Sequence, residues 1–298
     1  FNYQAEATFI LDAMFDKGPD SNNPLVVTNL FNLHEKQVVF VPAGHLDYFT
    51  DPSYHLPHFY ELWALWDEQR SEFWQQAAAV SRAFLKKTAH PQTGLTPDYA
   101  RFDGTPYEAP WETGHADFRF DAWRTAMNIA LDYTWFRKDE WAVLQSNRLL
   151  EFFHSQGLEA YGNQYTLDGN MLSADHSLGL VAMNAVACLA ATHPSRRQFV
   201  EQLWKAEPPT GRYRYYDGLL YMLALLQVSG MFRIYDPSVQ PDVALESYIT
   251  TDKHRAGFTL CEAGQPAPWY ASSADFPGVL RVLSHVQHDI QRVTGTMP

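Results

Sequence analysis

Apolar residues return at helical spacing along most of the chain, in segments at roughly 3–14, 56–68, 71–87, 122–136, 139–155, 177–191, 196–205 and 216–230. Breakers separate them: His90-Pro91-Gln92-Thr93-Gly94, Asp103-Gly104-Thr105-Pro106, Asp168-Gly169-Asn170 and Pro208-Pro209-Thr210-Gly211. One strand is expected in this part of the chain, at Gln37 to Pro42. The pattern predicts an all-α protein. Helix, long loop and helix in alternation suit antiparallel hairpins, six of which close into an (α/α)6 barrel whose loops line a cleft at one end. About eight helices are too few for that ring, so its N-terminal helices are expected to lie outside this chain.

The periodicity stops after Tyr235. Asp236-Pro237-Ser238-Val239-Gln240-Pro241 opens a polar stretch, and 237–255 is expected to be a linker following a helical domain at 1–236. Beyond it, Phe258-Thr259-Leu260 suits a short strand. Asp275-Phe276-Pro277 reads as a helix start, with Asp as cap and Pro in the first turn. Val279, Val282, Leu283, Val286, Ile290 and Val293 mark one face of that helix, so 256–298 is expected to be the short α/β start of a second domain.

Composition narrows the function classes. With 46% hydrophobic and 19% charged residues the chain is of ordinary globular make-up. Its formal charge of -12 argues against nucleic acid and anionic membranes as partners, since both call for a Lys/Arg-rich face. The longest apolar run, Leu178 to Ala191, is about 14 residues and carries Asn184, whereas a membrane span takes roughly 20. It reads as a buried helix. Cys188 and Cys261 form no redox or metal spacing. The opening Phe1-Asn2-Tyr3-Gln4 has no initiating Met or signal peptide, and the chain is expected to be cut from something longer. Aromatic residues reach 15%, including 9 Trp and 16 Tyr, and such rings either pack or stack on the C–H faces of sugars.

Asp121 stands in Phe118-Arg119-Phe120-Asp121-Ala122-Trp123-Arg124, just before a predicted helix. Its carboxylate suits two roles. It could cap the free amides of the first turn, with Arg124 as charge partner, or stand at the mouth of a helical barrel and take a proton from water. His115 and Asp117, two apart in the preceding loop, do not make a metal site without further converging ligands. No metal and no cofactor is expected.

Several runs together resemble glycoside hydrolase family 8: Asp51-Pro52-Ser53-Tyr54-His55-Leu56-Pro57, Phe59-Tyr60-Glu61-Leu62-Trp63, His90-Pro91-Gln92-Thr93-Gly94-Leu95, Phe120-Asp121-Ala122-Trp123-Arg124 and Arg214-Tyr215-Tyr216-Asp217. Within the family the resemblance is closest to the reducing-end xylose-releasing exo-oligoxylanases. It implies an (α/α)6 barrel, a xylo-oligosaccharide substrate and hydrolysis with inversion. Inversion uses two carboxyl groups about 6.5–9.5 Å apart, one protonating the leaving oxygen and one activating water. Asp121 falls on the family's base. The family's general acid, a Glu in a Thr/Ser-Glu-Gly motif, and its auxiliary Asp, in a Pro-Asp-Gly-Glu-like motif, have no counterpart in these residues, so this chain by itself is expected to turn substrate over negligibly.

His176 matches the histidine with which the exo-enzymes recognise the reducing-end sugar. Tyr54, Trp123, Tyr215 and Tyr216 are candidate sugar platforms or hydroxyl donors, with Arg124 beside them. The competing readings are an endo-xylanase or β-glucanase of the same family, and a carbohydrate-binding protein without catalysis. A second resemblance covers the tail. Gly264-Gln265-Pro266-Ala267, Ala274-Asp275-Phe276-Pro277-Gly278-Val279 and Asp289-Ile290-Gln291-Arg292-Val293-Thr294-Gly295 are similar to the opening of family 115 xylan α-glucuronidases, implying a fused xylan-active module. The family also implies a cytoplasmic location.

Overall fold

Eight α-helices lie among the described residues, and their order follows the apolar rhythm: α1 (Tyr3–Phe15), α2 (Pro57–Trp66), α3 (Ser71–Thr88), α4 (Trp123–Phe136), α5 (Trp141–Ser155), α6 (Leu178–Ala187), α7 (Arg196–Lys205) and α8 (Tyr216–Val228). This computed structural model describes residues 2–15 and 29–234, together with 261–262, 265–266, 283, 286–288 and 291. Contacts divide the chain into two units, Phe1–Tyr235 and Asp236–Pro298.

Helix α6 is the centre of the larger core. Gly179 to Ala187 are all buried, as expected of a helix that is apolar on every side. It packs on α4, α7 and α8, and α2 packs on α3 across the short turn at 67–70. The predicted segment 177–191 ends as an α-helix at Ala187. Beyond it the amides of Cys188, Leu189 and Ala190 reach only three residues back, to Ala185, Val186 and Ala187, which tightens the last turn. A second core gathers Phe31, Tyr60, Trp74, Ala77 and Ala78 between α2, α3 and the first hairpin.

Gly179 is required by packing. A Cβ there would come within 2.7 Å of the Asp217 carboxylate and 3.2 Å of the Trp123 ring. Its absence lets α8 and α4 close on the start of α6.

Strands are short. β1 (Phe31–Asn32) and β2 (Gln37–Val38) form an antiparallel hairpin, and β3 (Gln164–Tyr165) pairs antiparallel with β4 (Met171–Ser173). The predicted strand from Gln37 to Pro42 thus stops at Val38. The Val39 amide still bonds Leu30 O in register, but the Phe40 amide turns away to Phe49 O, and Pro42 has no N–H to extend the ladder. β3 and β4 carry no sustained alternation and were not foreseen.

In unit 2, β5 (Cys261–Glu262) pairs antiparallel with β6 (Gln265–Pro266), and residues 283, 286–288 and 291 are helical. The predicted strand at 258–260, the linker at 237–255 and the predicted helix start at 275–277 lie outside the described residues. No helix among the described residues is long and apolar enough to cross a membrane.

Candidate active site

Three loops meet at the N-terminal end of α4. Asp51, fully buried, caps a 3-10 turn at Pro52–Tyr54, its Oδ1 accepting from the Ser53 amide at 2.7 Å. That turn is fastened to α4 through one residue. Ser53 O accepts from Asn128 Nδ2 at 2.7 Å, and Ser53 Oγ accepts from Arg124 Nη2 at 2.9 Å. The second loop carries Asp98 and is tied to the first by reciprocal Thr50–Ala100 main-chain bonds, both 2.9 Å. The third carries Asp121 in a 3-10 turn, Phe120–Ala122, and is anchored by the Phe118–Tyr165 pair at 2.9 and 3.0 Å.

The Asp121 carboxylate does not cap α4. Its Oδ1 lies 3.0 Å from Arg124 Nη2 and accepts from the Tyr216 hydroxyl at 3.4 Å, while that hydroxyl also donates to Phe120 O at 2.9 Å. Its side chain is one-third exposed. Phe120, the residue before it, holds a φ of 25°, a region that costs a non-glycine residue about 1–3 kcal/mol and is kept only where the surroundings over-determine it.

Arg124 is the hub. Its guanidinium also lies 3.7 Å from Asp51 Oδ2 and stands over the rings of Tyr54 and Tyr216, at 5.8 and 6.0 Å. Burial pushes the Asp51 carboxyl well above the usual range, Arg124 opposing and the Asp121 and Asp98 charges adding. Burial, with the neighbouring Asp121 charge, lifts Asp98 to about 7. Burial also raises the Tyr54 and Tyr216 phenols, so both remain protonated and able to donate. The pocket therefore holds three carboxyls against one guanidinium in ion-pair reach, a setting that favours keeping a proton on one of them.

The residues expected from sequence separate into groups. Asp121, Arg124, Tyr216 and, across Arg124, Tyr54 come together. Trp123 belongs behind the site: it is 2% exposed, its Nε1 donates to Asn163 O at 3.1 Å, and its ring packs against Phe120 and Tyr216, so it offers no open face. Tyr215 is 77% exposed and takes no part in the hydrogen bonds around Asp121. His176 is exposed on the loop before α6. Its Nδ1 meets Tyr161 O at 2.9 Å and its ring stands edge-on to Tyr161 at 4.6 Å. The neighbouring Ser177 Oγ accepts from Asn163 Nδ2 at 2.7 Å, which links that loop to Trp123 through Asn163.

Asp51, Ser53, Asp98 and Asn128 were not singled out beforehand, although Asp51 and Ser53 stand inside a quoted run. His115, weighed as a metal ligand, instead bonds Asp98 through Nδ1 at 2.7 Å. Among the described residues no group of three or more His, Cys, Asp or Glu could hold a metal ion.

Comparison with known proteins adds a family. The profile of glycosyl hydrolases family 8 matches residues 41–230. The reducing-end xylose-releasing exo-oligoxylanase Rex8A of Paenibacillus barcinonensis is 43% identical over 241 residues, covering 79% of this chain and 60% of the relative. A family 8 xylobiose complex from Teredinibacter turnerae superposes with a TM-score of 0.75 at 48% identity, covering 78% of this chain and 60% of that one. A xylohexaose complex of a catalytic mutant xylanase from the same organism gives 0.75 at 47%, with the same coverage. The chain thus spans about 60% of the length of the relatives it matches.

Proposed function

The chain belongs to glycosyl hydrolases family 8, and from that premise we propose that it supplies the base side of an inverting xylo-oligosaccharide hydrolase, with Asp121 as the general base. Its helices are those of an (α/α)6 barrel, a fold that the family's members share. The observation that carries the role of Asp121 is its release from capping. A carboxylate at a loop-to-helix junction that leaves the helix amides alone, and is held by Arg124 and Tyr216, keeps a lone pair for a water proton.

In the proposed reaction a water lies between Asp121 and the anomeric carbon. Asp121 removes its proton as the new C–O bond forms, and the leaving oxygen takes a proton from a general acid on the opposite side. Arg124, 3.0 Å from Asp121 Oδ1, fixes the direction of that carboxylate. Tyr54 and Tyr216 offer hydroxyl donors and ring edges to the sugar. No Thr/Ser-Glu-Gly acid motif occurs in the 298 residues, so the acid is not assigned to this chain.

We take the substrate to be a β-1,4-xylo-oligosaccharide opened from its reducing end, with His176 selecting the terminus, as the likeness to the exo-oligoxylanase supports. A second reading, internal cleavage, is supported by the higher identity to the xylanase described with xylohexaose, and by the exposure of His176. For residues 256–298 the proposal of a second, glucuronidase-like module rests on sequence resemblance alone, since the family match ends at residue 230.

Hydrolysis of xylotriose and xylohexaose by the full-length protein, followed by NMR of the anomeric proton, tests the reading. Prompt α-configured product, lost in the Asp121→Asn variant, supports an inverting base. Xylose appearing first indicates the exo mode and mixed oligomers the endo mode. Unchanged turnover by Asp121→Asn removes Asp121 from the chemistry, and no turnover by either protein leaves a carbohydrate-binding protein as the better reading.

A further inference from the structure

Single apolar residues in contact with water are ordinary, but Trp111 does not stand alone. It is 51% exposed and ends a run of rings that begins at the candidate site. Arg124, 3.0 Å from Asp121 Oδ1, stands over the Tyr54 ring at 5.8 Å. Tyr54 lies parallel to Phe40 within 3°, with centroids 6.1 Å apart, and Phe40 is inclined 22° to Trp111 at 6.4 Å. We propose that Trp111 is the platform of an outlying sugar subsite, two rings beyond Tyr54, that takes a xylose unit of the longer oligosaccharides and is out of reach of the shortest.

The run has a buried support, and the loop that ends it is braced. Phe49, fully buried, stacks on Phe40 at 4.7 Å and stands 6.1 Å from Trp111, so these rings share one apolar floor. Trp111 is carried between Glu108 and Gly114, and the two ends of that segment are drawn together: the Glu108 carboxylate accepts from the amides of Gly114, His115 and Ala116 at 2.8, 3.3 and 3.3 Å. Arg119 Nη1 donates to Thr113 O at 3.2 Å, and Ala109 is buried. Gly114 turns at φ 95°, where a Cβ would collide with the Arg119 guanidinium. A ring held in this way gives up little freedom when a ligand arrives, which is what makes a tryptophan an efficient contact. Its shape suits xylose, whose ring carries hydroxyls at its edge and C–H groups on its faces and has no hydroxymethyl arm to lift it from an indole.

This inference rests on the reading of the Asp121 site as the place of xylo-oligosaccharide hydrolysis, and the experiment separates the two. In the full-length protein, kcat/KM for xylotriose and for xylohexaose is measured for Trp111→Ala, Trp111→Leu, Trp111→Phe and Trp204→Ala, with thermal unfolding of each. Binding of xylohexaose is measured by calorimetry on Asp121→Asn with and without Trp111→Ala. Trp111→Ala is expected to lose roughly threefold to tenfold in kcat/KM for xylohexaose, the value of one aromatic contact, and to stay within about twofold of the parent for xylotriose. Trp111→Leu, which keeps an apolar contact with Phe40 but no flat face, is expected to lose as much. Trp111→Phe is expected to recover most of it. Trp204, 54% exposed on α7, serves as a control, and Trp204→Ala is expected to leave both substrates unchanged. Calorimetry is expected to show the same weakening as the xylohexaose kinetics. Unchanged use and binding of xylohexaose in Trp111→Ala and Trp111→Leu overturns the proposal. So does an equal loss for both substrates, which makes Trp111 a support for the site through Phe40, and so does an equal loss in Trp204→Ala. Retained turnover in Asp121→Asn instead overturns the assignment of the base, and the comparison of chain lengths stands without it.

Discussion

Two charged clusters lean on α4, one at each end, and they are built to opposite rules. Near its C-terminal end Arg82 pairs with Asp132 through two bonds of 2.7 and 2.6 Å and with Glu61 at 2.7 Å, and Lys138 closes on the other Glu61 oxygen at 2.7 Å. Two cations meet two anions and every carboxylate oxygen is bonded. Near the N-terminal end Asp51 and Asp121 share Arg124, Asp98 relies on a histidine, and Asp51 Oδ2 and Asp98 Oδ1 stay buried without a close hydrogen-bond partner. A cluster that only holds helices together closes its charges. One left open stores a demand for a proton or a ligand, which is what acid–base chemistry uses.

The largest expected effects separate the ends by what they break. Asp121→Asn should lower the hydrolysis rate by ~10²–10⁴ while the unfolding midpoint stays put. Asp132→Ala, which leaves Arg82 short of its bidentate partner, should cost about 3 kcal/mol of stability, read by denaturant titration, with turnover of the folded fraction little changed. If Asp132→Ala stops turnover in fully folded protein, or Asp121→Asn unfolds it, the division between the two clusters is wrong.

The helices were legible because burial writes a period into the chain: α7 at Arg196–Lys205 coincides with its expected segment, and α3 and α8 differ from theirs by one or two residues at an end. Asp121, Arg124, Tyr54 and Tyr216 could be named in advance from the runs that contain them. What stayed illegible is carried by contacts without a period. Nothing local to Pro97-Asp98-Tyr99 says that its carboxyl will be buried against His115, with the Asp121 charge raising it. The burial of Trp123 was illegible for a related reason: its ring lies 3.2 Å from where a Cβ on Gly179 would stand, a contact that no local pattern marks.

Asp98 of the open cluster and Glu61 of the closed one should answer acid in opposite directions, although burial raises Asp132 beside Glu61. Asp98 titrates at about 7 in the fold through burial and the Asp121 charge, and Asp51 is raised for the same reason, so the native state holds protons that the unfolded chain releases near 4. The Asp98 contribution is present at low pH and is lost as pH rises toward 7, at most about 1.4 kcal/mol per pH unit for its one proton, and Asp51 acts in the same direction. Glu61 runs the other way. Burial pushes its carboxyl up, but the bonds from Lys138 and Arg82 outweigh it and hold it below the ordinary value, so its contribution is lost only in stronger acid. Unfolding midpoints should rise from pH 8 toward pH 5, and Asp98→Asn should flatten that slope. A slope of opposite sign, or one that Asp98→Asn leaves intact, would place the proton demand elsewhere.

A smaller effect tests the open end alone. Tyr216→Phe removes the hydroxyl that bonds Phe120 O and Asp121 Oδ1, worth about 1 kcal/mol, so kcat should fall roughly fivefold with KM nearly constant. An equal loss in binding and no loss in kcat would make Tyr216 a sugar contact rather than a support for Asp121.

The smallest effect tests whether the closed end is closed in depth or only at its rim. Lys138 is half-exposed and meets Glu61 from the solvent side, whereas Arg82 reaches the same carboxylate from within. Water can replace an ammonium at that position, because Glu61 keeps its inner bond to Arg82. Lys138→Ala should therefore cost only about 0.2–1 kcal/mol, shrinking as salt is added, and leave turnover unchanged. A loss as large as that of Asp132→Ala would mean that the four charges act as one unit through to the surface. The contrast with the open cluster would then lie in how many charges are matched, and not in how deeply they are buried.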